Sequence, residues 1–201
     1  MFMGTGLLLV VSGPSGAGKG SICKKLIETN PQIKVSVSAT TRKAREGEVD
    51  GVNYFFIEKG KFETMLEQDE FLEYAKVYDN YYGTPKKYVL ENLKKGNDVL
   101  LEIDIEGALQ IKEKFEEGVF IFILPPSMEE LKNRIVGRGT ETAEDIDKRY
   151  GSAMDEIKQV IKYDYAVIND DLTRAKGDVE AIITAEKCKL MRVYEDIQTR
   201  F

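Results

Sequence analysis

Histidine is absent from all 201 residues of this chain. Imidazole-based acid–base catalysis is thereby excluded, and with it most zinc chemistry, which draws on histidine ligands. Cysteine is nearly as scarce. Cys23 and Cys188 are too few and too far apart for a disulfide framework or a metal cluster. No apolar run approaches the roughly 18–20 residues that span a bilayer. The opening MFMGTGLLLVVSGPSG has no basic segment before its apolar stretch, so a signal peptide is not expected. Repeats and low-complexity linkers are also missing. An excess of basic charge is missing too: 29 Lys and Arg face 35 Asp and Glu, a net charge of −6. That balance argues against nucleic acid held on a basic surface. It leaves room for a small phosphorylated ligand, which needs only a few Arg and Lys inside a cleft. With 42% hydrophobic and 32% charged residues, the expectation is one globular, cytoplasmic domain with no membrane and no obligate protein partner.

The stretch 7–21, LLLVVSGPSGAGKGS, organises what is present. Leu7, Leu8, Leu9, Val10 and Val11 read as a strand buried on both faces of a parallel sheet. Gly13 and Gly18 frame four residues, and Lys19 follows at once. This is the G-x4-G-K core of a phosphate-binding loop between a strand and a helix. Glycines let backbone N–H groups turn inward at the helix N-terminus, and the lysine adds a charge for outer phosphates. Gly20 stands where a Ser or Thr usually contacts magnesium, and the hydroxyl comes one place later, at Ser21. The bland alternative is a glycine-rich turn before an ordinary helix; strand, spacing and lysine together disfavour it.

Farther along, Ile22, Cys23, Leu26 and Ile27 recur at helical spacing, and Asn30-Pro31 ends that segment. Ile33, Val35 and Val37 alternate with polar residues as a half-exposed strand. Residues 36–57 are rich in Thr, Gly and charge and read as an inserted lobe, ending in an aromatic strand at 52–57. A helix near 59–68 and a strand near 71–77 follow. Thr84 and Pro85 then predict an N-cap and first helical position, with the helix stopping at Gly96. Residues 99–104 form a second buried strand, 107–115 a helix, and VFIFIL (119–124) a third buried strand. Ser127 and Glu130 predict a capping box, and 146–160 a long helix. A short strand at 165–168 and one terminal helix carrying Val179 to Tyr194 complete the chain. Apolar strands alternating with helices imply a parallel sheet covered on both faces.

Candidate chemistry gathers in the excursions. Arg42 and Arg45, beside Thr40 and Thr41, suit a phosphate clamp, though taken alone they also suit solvated surface arginines. Tyr54, Glu73, Tyr82 and Thr84 offer hydroxyls and a carboxylate to a polar ligand. Glu102 and Asp104 alternate at the end of a buried strand, where an open α/β sheet keeps its ligand crevice. Arg134, Arg138 and Arg149 flank Gly137 and Gly139, as in a lid closing over phosphates.

The pieces SGPSGAGKGS (12–21), SVSATTRKAREGEVDGVNYFF (36–56), EFLEYAKVYDNYYGTP (70–85), LEIDIEG (101–107), PPS (125–127), GRGTET (137–142) and VINDDL (167–172) occur in this order. Together they closely resemble the guanylate kinase family. The resemblance implies an α/β fold: a parallel-sheet P-loop kinase core (1–35, 93–126, 151–201), an inserted mixed α+β GMP-binding lobe (36–92) and a helical lid (127–150). It implies that γ-phosphoryl transfer from MgATP to GMP gives ADP and GDP. ATP would lie on Gly13, Pro14, Ser15, Gly16, Ala17, Gly18, Lys19, Gly20 and Ser21, with Arg134 and Asn169 beside it. Ser38, Glu73, Thr84 and Asp104 would read guanine, and Arg42, Arg45, Tyr54 and Tyr82 would hold the GMP phosphate. Glu102 is placed with the GMP site, at a position where the family often has Asp. Lys19, Arg42, Arg138 and Arg149 would serve the transfer itself. Mg²⁺ would arrive on the ATP phosphates, with Ser21 and Asp104 the candidate contacts. The rival readings are a peptide-binding relative without kinase activity and a kinase for another nucleoside or sugar phosphate.

Overall fold

Residues 6–77, 79–136 and 143–200 are described in the computed structural model, those at 143–149, 195 and 196 by backbone alone. The chain runs β1 (Leu8–Ser12), α1 (Lys19–Thr29), β2 (Lys34–Val35), β3 (Ala39–Thr40), β4 (Phe55–Phe56), α2 (Lys59–Glu67), β5 (Phe71–Val77) and β6 (Asn80–Pro85). It continues α3 (Lys86–Lys94), β7 (Val99–Glu102), α4 (Ile105–Lys114), β8 (Val119–Leu124), α5 (Met128–Val136), α6 (Ala143–Lys158), a 3₁₀ turn (Gln159–Lys162), β9 (Tyr165–Ile168), α7 (Leu172–Lys187) and α8 (Leu190–Arg200).

The central sheet has the order β2-β7-β1-β8-β9, and every pairing in it is parallel. Side chains alternate across it, which sorts its apolar runs into two cores. Leu9, Val11, Ile121 and Ile123 join Ile22 and Leu26 of α1 and Ala175, Val179 and Ile183 of α7. Leu8, Val10, Leu101 and Phe120 join Val89 and Leu93 of α3 and Ala108 and Ile111 of α4. All five residues of β1 are buried, as an uninterrupted apolar run requires. The chain leaves β1 toward β2 on one side, while β7 and β8 straddle it. The crevice of such a sheet opens where that order reverses, beyond the C-terminal end of β1. At its opposite end, buried Asp98 accepts the Leu7 N–H at 2.9 Å and pairs with Lys187 at 2.6 Å.

A second sheet, ordered β4-β3-β6-β5, packs Phe62 of α2 against Phe71 and Tyr81, ring centroids 4.4 and 5.3 Å away. Helix α4 lies along the outer edge of β5. The Gln110 amide donates to the Tyr74 carbonyl at 3.0 Å and accepts the Tyr74 N–H at 3.3 Å. Lys114 donates to the Leu72 carbonyl at 3.0 Å.

Several sequence expectations change. NYYGTP is strand β6, paired antiparallel with β5 and running directly into α3 at Lys86. Thr84 is therefore no N-cap; Pro85 occupies that position and makes no side-chain cap. The aromatic strand at 52–57 contracts to Phe55–Phe56, because residues 51–53 turn. The half-exposed strand at 33–37 pairs over Lys34–Val35 alone. Strand β7 ends at Glu102, and Asp104 becomes the N-cap of α4. Only half of the Ser127 capping box forms: Ser127 Oγ accepts the Glu130 N–H at 3.1 Å, but the Glu130 carboxylate turns to Arg134. The single terminal helix is two, separated at Cys188 and Lys189, where Glu186 is enclosed by Tyr165, Lys189 and Arg192. No helix among the described residues is long and apolar enough to cross a membrane.

Candidate active site

The loop after β1 takes up a shape that side chains would obstruct. Gly13 has φ +143°, and a Cβ there would lie 2.3 Å from the Ile123 carbonyl oxygen. Gly18 has φ +94°, and its Cβ would strike the Asn169 amide at 2.2 Å. Lys19, the first residue of α1, folds its ammonium back onto the Gly13 and Pro14 carbonyls at 2.6 and 3.2 Å. Burial lowers its pKa, and Asp104, Glu102 and Glu156 oppose that shift. A cation is thus parked at the loop rim, with acids around it.

Beside the loop lies an open depression of about 380 Å³, lined by Gly16, Gly18, Ser21, Arg134, Asn169 and their neighbours Asp170 and Leu172. Buried Asn169 donates to the Ala17 carbonyl at 2.8 Å. Arg134 donates to the Asn169 carbonyl at 3.0 Å and is steadied through Nε by Glu130. The loop, Arg134 and Asn169, singled out far apart in sequence, thus form one wall. Asn169 is held by the loop it would serve.

The second sheet carries the other candidates. Glu73 of β5 is 5% exposed, and its Oε1 accepts the Thr84 hydroxyl at 2.6 Å. Its Oε2 rests against Gly107 in the first turn of α4; a Cβ on Gly107 would lie 2.6 Å away. A carboxylate suits a helix N-terminus, yet burial still raises its pKa, with Thr84 opposing and Asp104 adding to the rise. Glu102 faces the cleft beside Gly20, where a Cβ would lie 3.2 Å from its Oε1. Crowding at the cleft raises its pKa, with Lys19 pulling the other way. Glu102 is thus beside the phosphate loop, and it acts electrostatically on Tyr54 of the second lobe as well as on Lys19. Asp104 acts electrostatically on both Lys19 and Glu73.

Arg42 lies over the rings of Tyr54 and Phe56, at 5.3 and 5.6 Å from their centroids, and Tyr54 meets Tyr82 edge-on at 6.0 Å. Both terminal nitrogens of Arg42 donate to Glu48, at 2.8 and 2.9 Å. Glu48 first, and then the Tyr82 hydroxyl, raise the arginine's pKa; Arg42 and the Arg45 N–H hold the Glu48 carboxyl down to about 2. Arg45 is exposed, and Ser38 offers its carbonyl to the Phe55 N–H at 2.9 Å. Arg138 lies outside the described residues, and so does the side chain of Arg149. Sequence reasoning missed Glu48, Gly107 and Glu156. The three-residue steps from Arg42 to Arg45 to Glu48 were the signal for the first; the other two gave none.

A family model for guanylate kinase matches residues 5–186. The chain is 62% identical over 201 residues to a guanylate kinase of Clostridioides difficile, covering all of this chain and 98% of that protein. It is 65% identical over 187 residues to one from Caldanaerobacter subterraneus, covering 93% of this chain and 91% of the other. This chain belongs to the guanylate kinase family. A crystal structure of guanylate kinase from Anaplasma phagocytophilum superimposes with a TM-score of 0.78 at 36% identity, covering 96% of this chain and 92% of that one. The all-parallel core and inserted second sheet described above are thus those of a guanylate kinase.

Proposed function

We propose that this guanylate kinase transfers the γ-phosphoryl group of ATP to GMP, giving ADP and GDP. One observation carries the reading: a phosphate loop with its lysine and a buried carboxylate–hydroxyl pair both lie within the electrostatic reach of Asp104. Residues 36–92 take GMP, residues 127–150 form the lid, and the remainder is the core. Gly13 to Ser21 cradle the ATP phosphates, with Arg134 and Asn169 at the nucleoside side. Glu73 and Asp104 accept from the N1–H and exocyclic amine of guanine, the Ser38 hydroxyl donates to its O6, and Thr84, whose one hydroxyl proton goes to Glu73, orients that carboxylate for the base. Arg42, Arg45, Tyr54 and Tyr82 hold the phosphate of GMP. Lys19, and in the lid Arg138 and Arg149, meet charge that spreads over the transferring group, where positioning and electrostatics supply most of the catalysis.

Magnesium bound with ATP neutralises charge on its outer phosphates. The donors present fit that ion: the space beside Gly20, which lacks a hydroxyl, is faced by the Glu102 carboxylate, and hard oxygen donors reached through water suit Mg²⁺. Ser21, Glu102 and Asp104 are the residues that would hold it. Free ATP and GMP are cytoplasmic, which is the compartment this reading assigns. A peptide-binding relative without kinase activity is disfavoured by the retained Gly13, Gly18 and Lys19. The test is a coupled ADP-release assay with the common nucleoside monophosphates offered singly. Rapid turnover with GMP alone is expected; equal turnover with AMP or UMP refutes the base assignment.

A further inference from the structure

Glu48 has no place in the chemistry above, yet it makes three hydrogen bonds within the arginine loop. Its Oε1 and Oε2 take the two terminal nitrogens of Arg42 at 2.9 and 2.8 Å, and Oε2 also takes the backbone N–H of Arg45 at 2.7 Å. Both charged side chains are largely enclosed, at 14% and 20% exposure. The two arginines assigned to one phosphate are therefore set by a single carboxylate, one through its side chain and the other through its backbone. Between Thr41 and Gly51 the chain makes no strand pairing beyond an isolated bridge of Asp50 to Tyr54. Side-chain bonds to its backbone therefore carry much of the ordering in this stretch.

We propose that Glu48 is a positioning residue for the phosphate of GMP. It orders Arg42 against Tyr54 and Phe56 and orients the Arg45 backbone before the ligand arrives. A carboxylate cannot itself bind a phosphate, so its effect passes through the arginines. The terminal fork of Arg42 is engaged by Glu48, and Nη1 donates to the Lys43 carbonyl as well at 2.8 Å, so a phosphate is met through guanidinium donors that Glu48 does not take. Arginine side chains lose much rotamer freedom when fixed, and ordering them beforehand removes that cost from binding. The opposite role is also chemically definite: a carboxylate in the fork would compete with the phosphate and weaken its binding.

This inference rests on the GMP reading, and the experiment separates the two. Glu48→Asp, Glu48→Gln and Glu48→Ala are compared with the parent for KM of GMP, KM of ATP, kcat, and inhibition by guanosine, which lacks the phosphate. Positioning predicts that KM for GMP rises about tenfold or more in Glu48→Ala, with Gln and then Asp progressively milder. KM for ATP and the Ki of guanosine stay within about twofold of the parent, and kcat moves far less than KM. Unchanged or lowered KM for GMP overturns the proposal and favours competition in the fork. Equal weakening of guanosine and GMP, or loss of the fold in all three variants, overturns it in favour of a general structural role. A parent that does not phosphorylate GMP would instead defeat the functional reading itself.

Discussion

Replacing Gly107 with alanine sets stability against substrate binding in a way that the contact with Glu73 makes quantitative. Gly107 sits in α4 without a positive φ, so the backbone accepts alanine, and the helix gains about 0.5–1 kcal/mol. The added Cβ, however, would lie 2.6 Å from Glu73 Oε2, 3.0 Å from Cδ and 3.3 Å from Cγ. Three atoms of one side chain must retreat by several tenths of an ångström. On the far side Glu73 is held by Thr84 at 2.6 Å, so retreat distorts a buried hydrogen bond to a charged group, a contact of about 1.5–3 kcal/mol. The expected net effect is a loss of about 1 kcal/mol, a fall in Tm of about 2–4 °C for a chain of this size. A base-reading carboxylate displaced by several tenths of an ångström raises KM for GMP by about tenfold. Thermal unfolding and steady-state kinetics measure both. In a Glu73→Ala background the obstruction is gone, and the same Gly107→Ala change should stabilise by about 0.5–1 kcal/mol. Equal destabilisation in both backgrounds, or an unchanged KM for GMP in the single variant, refutes the reasoning.

Lys19→Ala should leave Tm nearly unchanged, since the ammonium rests only on loop carbonyls, while kcat falls about a thousandfold; turnover within threefold of the parent would contradict the phosphate loop. Glu73→Gln puts a donor amide against guanine donors and should cut the GMP-over-AMP preference in kcat/KM about 10- to 100-fold, whereas intact preference would remove Glu73 from base recognition. Glu48, held down to about 2 from 4.5 by Arg42 and the Arg45 N–H, contributes stability that is fully present above pH 4.5 and lost as pH falls toward 2. The fall in Tm across that window should be shallower in Glu48→Gln, and identical slopes would show that the pair does not stabilise the fold.

Much of the core was legible because its signals are local. Strand β1 and VFIFIL are apolar without interruption, and the glycine spacing of 13–18 has one obvious phosphate-binding use. The second sheet was harder, because β6 contains Gly83, Thr84 and Pro85, residues that read as a turn and a helix start. Pairing with β5 overrides that preference, and the Thr84 hydroxyl is consumed by Glu73 across the hairpin instead of capping a helix. Asp104 was read as the close of a strand, but β7 ends at Glu102 and two residues of connection, Asp104 the second, lead into α4. The break between α7 and α8 follows from tertiary ion pairs around Glu186, to which helical periodicity is blind. The contact of Gly107 with Glu73 joins a helix start to a strand far away in sequence, and no local spacing announces it.

The Gln110 amide on Tyr74 has a consequence for how copies of this protein behave in a crowded solution. Strand β5 is an outer strand of its sheet, and an unpaired edge is a template on which another chain can add a strand. Gln110 meets Tyr74 with one donor and one acceptor, as a neighbouring strand would, and Lys114 takes the Leu72 carbonyl. Two side chains of a helix thereby occupy bonding positions at Leu72 and Tyr74 that an intruding strand would use. The same helix that brings Gly107 to Glu73 guards the protein against edge-to-edge aggregation.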